Sequence, residues 1–375
     1  MKIEMVDLRG QYLHIQSEIN EAMQEVLASA AFINGSQVKE FSRNLALYNG
    51  IKHVVTCGNG TDALQIAFMA LGLKPGDEVI VPVHTYVATA EVIALLRLVP
   101  VFVDCDEDHF TIDVNQIEDK ITSRTRAIAP VHLYGQCADM EPLLEIARRN
   151  HLFVVEDTAQ AIGATYAFSD GTRRRAGCMG TIGATSFFPS KNLGCYGDGG
   201  ALFVDDDALA ERVRMIANHG QRVKYHHDVI GCNSRLDTLQ AAILNVKLKY
   251  LDRYTEARQQ AAARYDELLK DVAGIILPKR TENSTHVFHQ YTIRVLNHRR
   301  DALKAYLAEQ GIPSMIYYPV PLHLQKAYIQ EGKGIGTFPV AERLSEEVLS
   351  LPMHTELTLE MQEFIAERIR CFVEK

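Results

Sequence analysis

The sequence predicts an α/β protein: a large domain with a mostly parallel mixed sheet between helices, followed by a smaller α+β domain. Two patterns carry this reading. Between residues 50 and 205, short β-branched apolar runs alternate with amphipathic segments of helical period, and continuous apolar strands separated by helices mark a parallel sheet covered on both faces. Beyond residue 270 the alternation gives way to strand, helix, strand and two terminal helices. At 375 residues and 47% hydrophobic, the chain is long enough for two units, with boundaries placed at 1–250 and 251–375.

In order, an N-terminal helical segment precedes the strands "HVVTCG", "EVIVP", "PVFVD", "AIAPVH", "LFVVED", "ATSFF" and "ALFVD". Between them run the helical patterns "TDALQIAFMALGL", "ATAEVIALLRL" and "MEPLLEIARRN". After Asn233, "RLDTLQAAILNVKLKYLDRYTEARQQAAARYDELLKD" repeats apolar residues at three and four and reads as one long helical stretch linking the units. The smaller unit reads as strand "HVFHQYTIRV", helix "RRDALKAYLAEQG", strand "PSMIYY" and helices from Ala341 to Leu349 and Leu359 to Phe372.

Bulk properties exclude several classes of function. Net charge is −8, with Lys and Arg interspersed among acids, so no basic face is available for nucleic acid. The most apolar segment, "AEVIALLRLVPVFV", is broken by Arg97 and Pro100 short of membrane length, and "MKIEMVDLRGQYLHI" lacks a long apolar run, so the expectation is a soluble cytoplasmic protein. The seven cysteines are scattered without a CxxC pair and read as reduced thiols; Cys57 and Cys195, beside glycine clusters, are either small packing residues or pocket-lining ones. Adjacent His226 and His227 would point to opposite faces of a strand, so no metal is expected.

In parallel sheets ligands gather at the carboxyl ends of the strands, and three such ends carry chemistry. In "CGNGTDALQ", Gly58 and Gly60 lead to Thr61 at a helix start, where free amides suit a phosphate, although a turn with an N-cap looks the same. "LFVVEDTAQ" ends a buried strand with Glu156, Asp157 and Gln160; a carboxylate there needs a cation, a protonated ring nitrogen or a capping role. Lys191, in "TSFFPSKNLGCYGDGGALF", is either a surface lysine on a loop or a desolvated amine that attacks carbonyl carbon. A phosphate cradle, a carboxylate for a ring nitrogen and an amine for an aldehyde are together the three handles of pyridoxal 5'-phosphate.

"GNGTDAL", "HTYVATAE", "PVHLYGQCADM", "VVEDTAQAIGA", "TSFFPSKNLGCYGDGGAL" and "GCNSRLDTLQAAIL" resemble successive motifs of the DegT/DnrJ/EryC1/StrS nucleotide-sugar aminotransferases, pyridoxal phosphate enzymes of fold type I, from about Val6 onward. The resemblance implies that Gly60, Thr61 and Ser186 bind the cofactor phosphate and that Tyr86 stacks on its ring. It implies that Asp157 pairs with the ring nitrogen, that Gln160 binds the ring hydroxyl and that Lys191 is the Schiff-base lysine. Asn233 would reach the phosphate of a neighbouring subunit's cofactor, implying a homodimer with shared active sites.

Within the family the chain is most similar to enzymes that move nitrogen from L-glutamate to C3 of a UDP-linked 3-keto-N-acetylglucosaminuronic acid for surface polysaccharide such as O-antigen. Arg235, Tyr317 and Tyr318 are the candidate contacts to the sugar nucleotide, with Tyr317 standing where many relatives carry histidine. The alternatives are a dTDP-3- or 4-keto-6-deoxyhexose as acceptor, or a regulatory protein that keeps the fold without turnover. Lys191 argues against the dehydrating branch, which has histidine there. The run Arg173 to Arg175 reads as a solvated hairpin turn, and no arginine stands out as a clamp for the glutamate carboxylate.

Overall fold

The seven apolar runs of the first half become one sheet. The computed structural model describes residues 2–329 and 333–374. Strands β1 (His53–Cys57), β2 (Glu78–Pro82), β3 (Val99–Val103), β4 (Thr125–Ile128) and β5 (Phe153–Asp157) are followed by a hairpin of β6 (Thr165–Ala167) and β7 (Arg173–Arg175), then β8 (Ile182–Ser186) and β9 (Gly200–Val204). The large sheet has the order β1-β9-β8-β5-β4-β2-β3. All its strands run parallel except β9, which is antiparallel to both neighbours. The reason is the connection: a parallel return needs a long crossover, and residues 187–199 between β8 and β9 contain no helix.

Helices Gly60–Ala70, Ala88–Leu95 and Asp207–Ala217 bury apolar faces on the sheet in a cluster with Val79, Val81, Val155 and Leu202. Helix Met140–Arg149 places Met140, Leu143 and Ile146 in a second cluster with Ile80, Ile128 and Val154, whose side chains alternate with those of the first along their strands. Burial of each such side chain stabilises the fold by roughly 1.5–3 kcal/mol.

Toward the C-terminus, after a short hairpin of β10 (Gln221–Val223) and β11 (His226–His227), strands β12 (Ile275–Ile276), β13 (Tyr291–Val295) and β14 (Val348–Leu351) form a three-stranded antiparallel sheet. Its core joins Tyr265, Leu303, Leu351 and Ile365, and Ile3 from the opposite end of the chain packs there too. Helix Pro339–Glu347 returns to the large domain: Ala341 and Leu344 pack on the large-sheet core, and buried Asp104, just beyond β3, accepts from the amides of Val340 at 3.0 Å and Ala341 at 2.8 Å. That carboxylate caps a helix from across the fold.

Three sequence expectations change. The long stretch after Asn233 is two helices, Thr238–Leu248 and Leu251–Leu269, because the chain turns at Lys249 and Tyr250, whose side chains are both held by Glu18. "PSMIYY" is no strand: only Met315 pairs, with Ser350, and the chain then turns inward. Helix Pro339–Glu347 ends before Val348, because Val348 to Leu351 are buried on all sides as the strand against β13. A helical period and a fully buried strand are indistinguishable over so short an apolar run.

Candidate active site

The groups of interest lie at the carboxyl ends of β1, β2, β4, β5 and β8. Asp157, the last residue of β5, is only 6% exposed. Thr89 Oγ1 donates to one carboxylate oxygen at 2.7 Å and the Ala159 amide to the other at 3.1 Å. Neither donor is charged, and the two leave lone pairs on the side-chain oxygens for a cationic partner. Thr89 sits one residue inside helix Ala88–Leu95, so packing of that helix orients the hydroxyl.

Lys191 follows β8 on a loop folded onto itself, its amide donating to the Phe188 carbonyl at 2.8 Å. The residue as a whole is half-buried, yet burial of its amine pushes the pKa down to about 8, and the nearby Asp157 charge opposes that fall only in part. Such an amine is far more often neutral near pH 7 than an ordinary lysine, and hence nucleophilic.

Gln160 is clamped from both ends. Its Oε1 accepts from the Tyr134 amide at 2.8 Å and its Nε2 donates to the Tyr318 hydroxyl at 3.1 Å. Burial pushes the Tyr318 phenol up, so it stays protonated and can donate onward. Tyr317 is partly exposed beside it, its carbonyl accepting from the Tyr134 hydroxyl. Tyr86 is 56% exposed with its ring 6.0 Å from that of Tyr318, a large aromatic face at the mouth of the site.

The third group is a cradle. Asn59 caps helix Gly60–Ala70 by accepting from the Asp62 amide at 2.8 Å, and Thr61 lies partly exposed in the first turn. A Cβ on Gly60 would stand 2.6 Å from the Ser186 Cβ, so the helix start and the end of β8 meet at a distance only glycine permits. A Cβ on Gly200, at the start of β9, would fall 2.3 Å from the Asn59 carbonyl. The result is a close-packed helix N-terminus beside a serine hydroxyl, suited to an anion.

The other expected contacts lie apart from Lys191 within one chain. Asn233 is exposed, while its neighbour Ser234 accepts from the Gly58 amide at 2.8 Å and so ties that segment to the cradle's edge. Arg235 lines a groove of about 230 Å³ with Asn34, Thr56, Arg214 and Ser234, and Lys191 is not among its walls. A cavity of about 510 Å³ between the N-terminal helices and Thr238–Leu248 is walled by Glu18, Glu21, Glu25 and Glu40 and is likewise separate. Arg175 packs over the Tyr48 ring and donates to the Gly163 carbonyl at 2.6 Å, while Arg174 is solvent-exposed. Among the described residues no group of three or more His, Cys, Asp or Glu side chains could hold a metal ion, and no helix is long and apolar enough to cross a membrane. His226 and His227 are exposed on β11, and all seven cysteines are free thiols.

Several residues that build the site escape sequence reasoning. Thr89 has a weak signal, a hydroxyl in the first turn of a helix whose only other polar side chain is Glu91. Tyr134 and His289 have none, being brought in by long-range packing. His289 is buried near Lys191 with no partner for Nδ1, and burial together with the Lys191 charge holds its imidazole well below the usual range, so it is neutral.

Comparison with known proteins agrees with this geometry. Residues 13–370 match the model of the DegT/DnrJ/EryC1/StrS aminotransferase family, and the chain belongs to it. It is 49% identical, over 99% of both chains, to a pleiotropic regulatory protein of Geobacillus stearothermophilus. Over 95% of this chain and 96% of the other, it is 47% identical to a UDP-2-acetamido-2-deoxy-3-oxo-D-glucuronate aminotransferase of Pseudomonas aeruginosa. A dTDP-3-amino-3,4,6-trideoxy-alpha-D-glucose transaminase of Streptomyces venezuelae is 42% identical over all of this chain and 97% of its own. Among solved structures, S. venezuelae DesV in complex with a ketimine intermediate superposes with a TM-score of 0.95 at 42% identity, covering 100% of this chain and 99% of that one.

The residues present fit pyridoxal phosphate. An under-coordinated buried carboxylate suits a protonated ring nitrogen, a desolvated amine suits an aldehyde, and the Gly60–Ser186 cradle, which a Cβ would fill, suits the phosphate.

Proposed function

We propose that this chain is a pyridoxal phosphate-dependent aminotransferase that moves the amino group of L-glutamate to C3 of UDP-2-acetamido-3-keto-glucuronate, in the making of sugars for surface polysaccharide. The observation that carries the chemistry is the desolvated Lys191 amine beside the buried, under-coordinated Asp157. The choice of acceptor is supported by the 47% identity to the glucuronate aminotransferase.

Bound pyridoxal phosphate would supply an aldehyde and an electron sink for charge at the carbon bearing the amine. Gly60, Thr61 and Ser186 would hold its phosphate, and Tyr86 would cover its ring. The Asp157 carboxylate would keep the ring nitrogen protonated, with Thr89 fixing the carboxylate's plane. Gln160, unable to rotate between Tyr134 and Tyr318, would present its amide to the ring hydroxyl. Lys191 would then act twice, as the covalent anchor and, once displaced by glutamate, as the base that carries a proton from the amino acid's α-carbon. Asn233 would come from a partner subunit, making the working form a homodimer, and Arg235, Tyr317 and Tyr318 would meet the sugar nucleotide.

Two other readings have specific support. The 42% identity to a dTDP-sugar transaminase favours a dTDP-linked acceptor, and the 49% identity to a pleiotropic regulatory protein favours a regulatory role. One experiment separates all three. Pure protein loaded with pyridoxamine phosphate is mixed with UDP- and dTDP-linked 3- and 4-ketosugars, following return of the lysine-bound cofactor's absorbance. The proposal expects the UDP-3-ketouronate to react fastest; a faster dTDP-sugar overturns the acceptor assignment. Failure to form 2-oxoglutarate from glutamate in the preceding half-reaction overturns catalysis altogether.

A further inference from the structure

We propose that Lys247 is a positioning residue for Lys191, its buried ammonium holding the Gly194 carbonyl and so fixing the loop from which the Lys191 amine is presented. Lys247 lies near the end of helix Thr238–Leu248 and is 1% exposed. Its Nζ donates to the Gly194 carbonyl at 2.5 Å and stands 5.3 Å from the centroid of the Tyr196 ring. The charge-bearing groups it feels are the Cys195 thiol and the Arg258 guanidinium, and burial pushes it down to about 8. A buried ammonium without a carboxylate partner is costly, and an apolar side chain of equal length would fill the same space without that cost. Stability alone therefore does not account for a lysine there.

What it grips does. Gly194 is three residues beyond Lys191, and a Cβ on it would stand 2.3 Å from the Pro189 carbonyl, so the backbone on both sides of Lys191 is pressed together. The Lys191 amide donates to Phe188, the Cys195 amide to Phe187 at 2.8 Å, and the Phe187 amide to Gly199 at 2.7 Å. The same helix takes hold a second time, Gln240 Oε1 accepting from the Tyr196 amide at 2.8 Å. One helix thus fixes the loop from outside at two places, alongside the bond from Asn192 Nδ2 to the Val287 carbonyl at 2.9 Å. A charge-assisted bond to Gly194 is the stronger of the two, and it lies nearer Lys191.

This inference rests on Lys191 being the reactive amine, but its first readout does not. Amide hydrogen exchange is measured on the cofactor-free full chain for wild type, Lys247→Met and Lys247→Gln. The expected result is exchange faster by about tenfold in peptides covering residues 187–196, with β5 unchanged. In the glutamate half-reaction of the loaded enzyme, kcat should fall by about tenfold with KM for glutamate within about twofold of wild type, since a misplaced amine slows chemistry without weakening substrate contacts. A lower melting temperature with wild-type loop exchange and wild-type kcat would mean that Lys247 only packs, and would overturn the proposal. So would failure of both variants to fold at room temperature. If the wild type shows no glutamate chemistry, the functional reading fails while the exchange data still decide whether Lys247 orders the loop.

Discussion

Glu156 and Asp157 are consecutive residues of β5, both buried, and their side chains leave opposite faces of the sheet. Glu156 is saturated: its oxygens accept from His132 Nε2 at 2.8 Å and from the amides of Gly177 at 2.9 Å, Met179 at 2.7 Å and Gly180 at 2.5 Å. His132 Nδ1 accepts from the Ala138 amide at 3.1 Å, which leaves the ring proton on Nε2, so every group facing Glu156 is a donor. Asp157 has two neutral donors, with the Lys191 amine near enough to feel its charge. The two carboxylates show what separates structure from function in a buried site. One is complete without a ligand and ties the 177–180 turn to the sheet, while the other keeps capacity that the fold does not use.

The sharpest way to break the comparison is at the group Asp157 faces. Lys191→Ala should fold and melt close to wild type yet turn over no substrate, as measured by 2-oxoglutarate release; near-wild-type turnover would end the assignment.

Next in size is Glu156→Gln. The introduced amide would face donors on every side, and a buried charge network losing one member costs about 3–5 kcal/mol, to be read by denaturant unfolding. If Glu156→Gln instead spares stability and removes only activity, the division of roles is wrong.

The mildest test compares Asp157→Asn with wild type. Stability should change by less than about 1 kcal/mol, since the Asn oxygen can still accept from the Ala159 amide while the Thr89 hydroxyl turns to accept from the new NH2, and turnover falls about a hundredfold, typical of a lost electrostatic contact to the reacting system. Capture of pyridoxal phosphate by cofactor-free wild type should speed up as pH rises toward about 8, where the Lys191 amine loses its proton, and then level off. Asp157 raises the Lys191 value, so its neutralisation should move that plateau to lower pH. A midpoint near the ordinary lysine value of 10.5 in wild type would show that the amine is not desolvated.

Much of this was legible in the sequence, and for identifiable reasons. The strands of the large sheet are written as apolar runs, and Asp157 and Lys191 stand out together, since a helix cap and a loop lysine explain each alone but not both beside the glycines before Thr61. Glu156 was visible beside Asp157, but not its saturation, because His132 and the 177–180 amides arrive from elsewhere in the chain. In the sequence Lys247 is one of many charges on a helix, and nothing local tells a solvated lysine from one under a glycine loop. The helical reading runs on to Leu349, two residues into β14, because Val348 and Leu349 follow Leu344 at helical spacing.

The antiparallel placing of β9 has a mechanical meaning. Ser186 and Gly200 are register partners across β8 and β9, so the chain leaves the sheet and rejoins it on the same rung. Lys191 therefore rides on a short noose whose knot touches the Gly60 cradle, and closing so small a ring takes little chain entropy. Length changes inside the noose should leave the knot in register, whereas a slip of β9 by one residue would carry Gly200 away from Asn59 and open the phosphate seat.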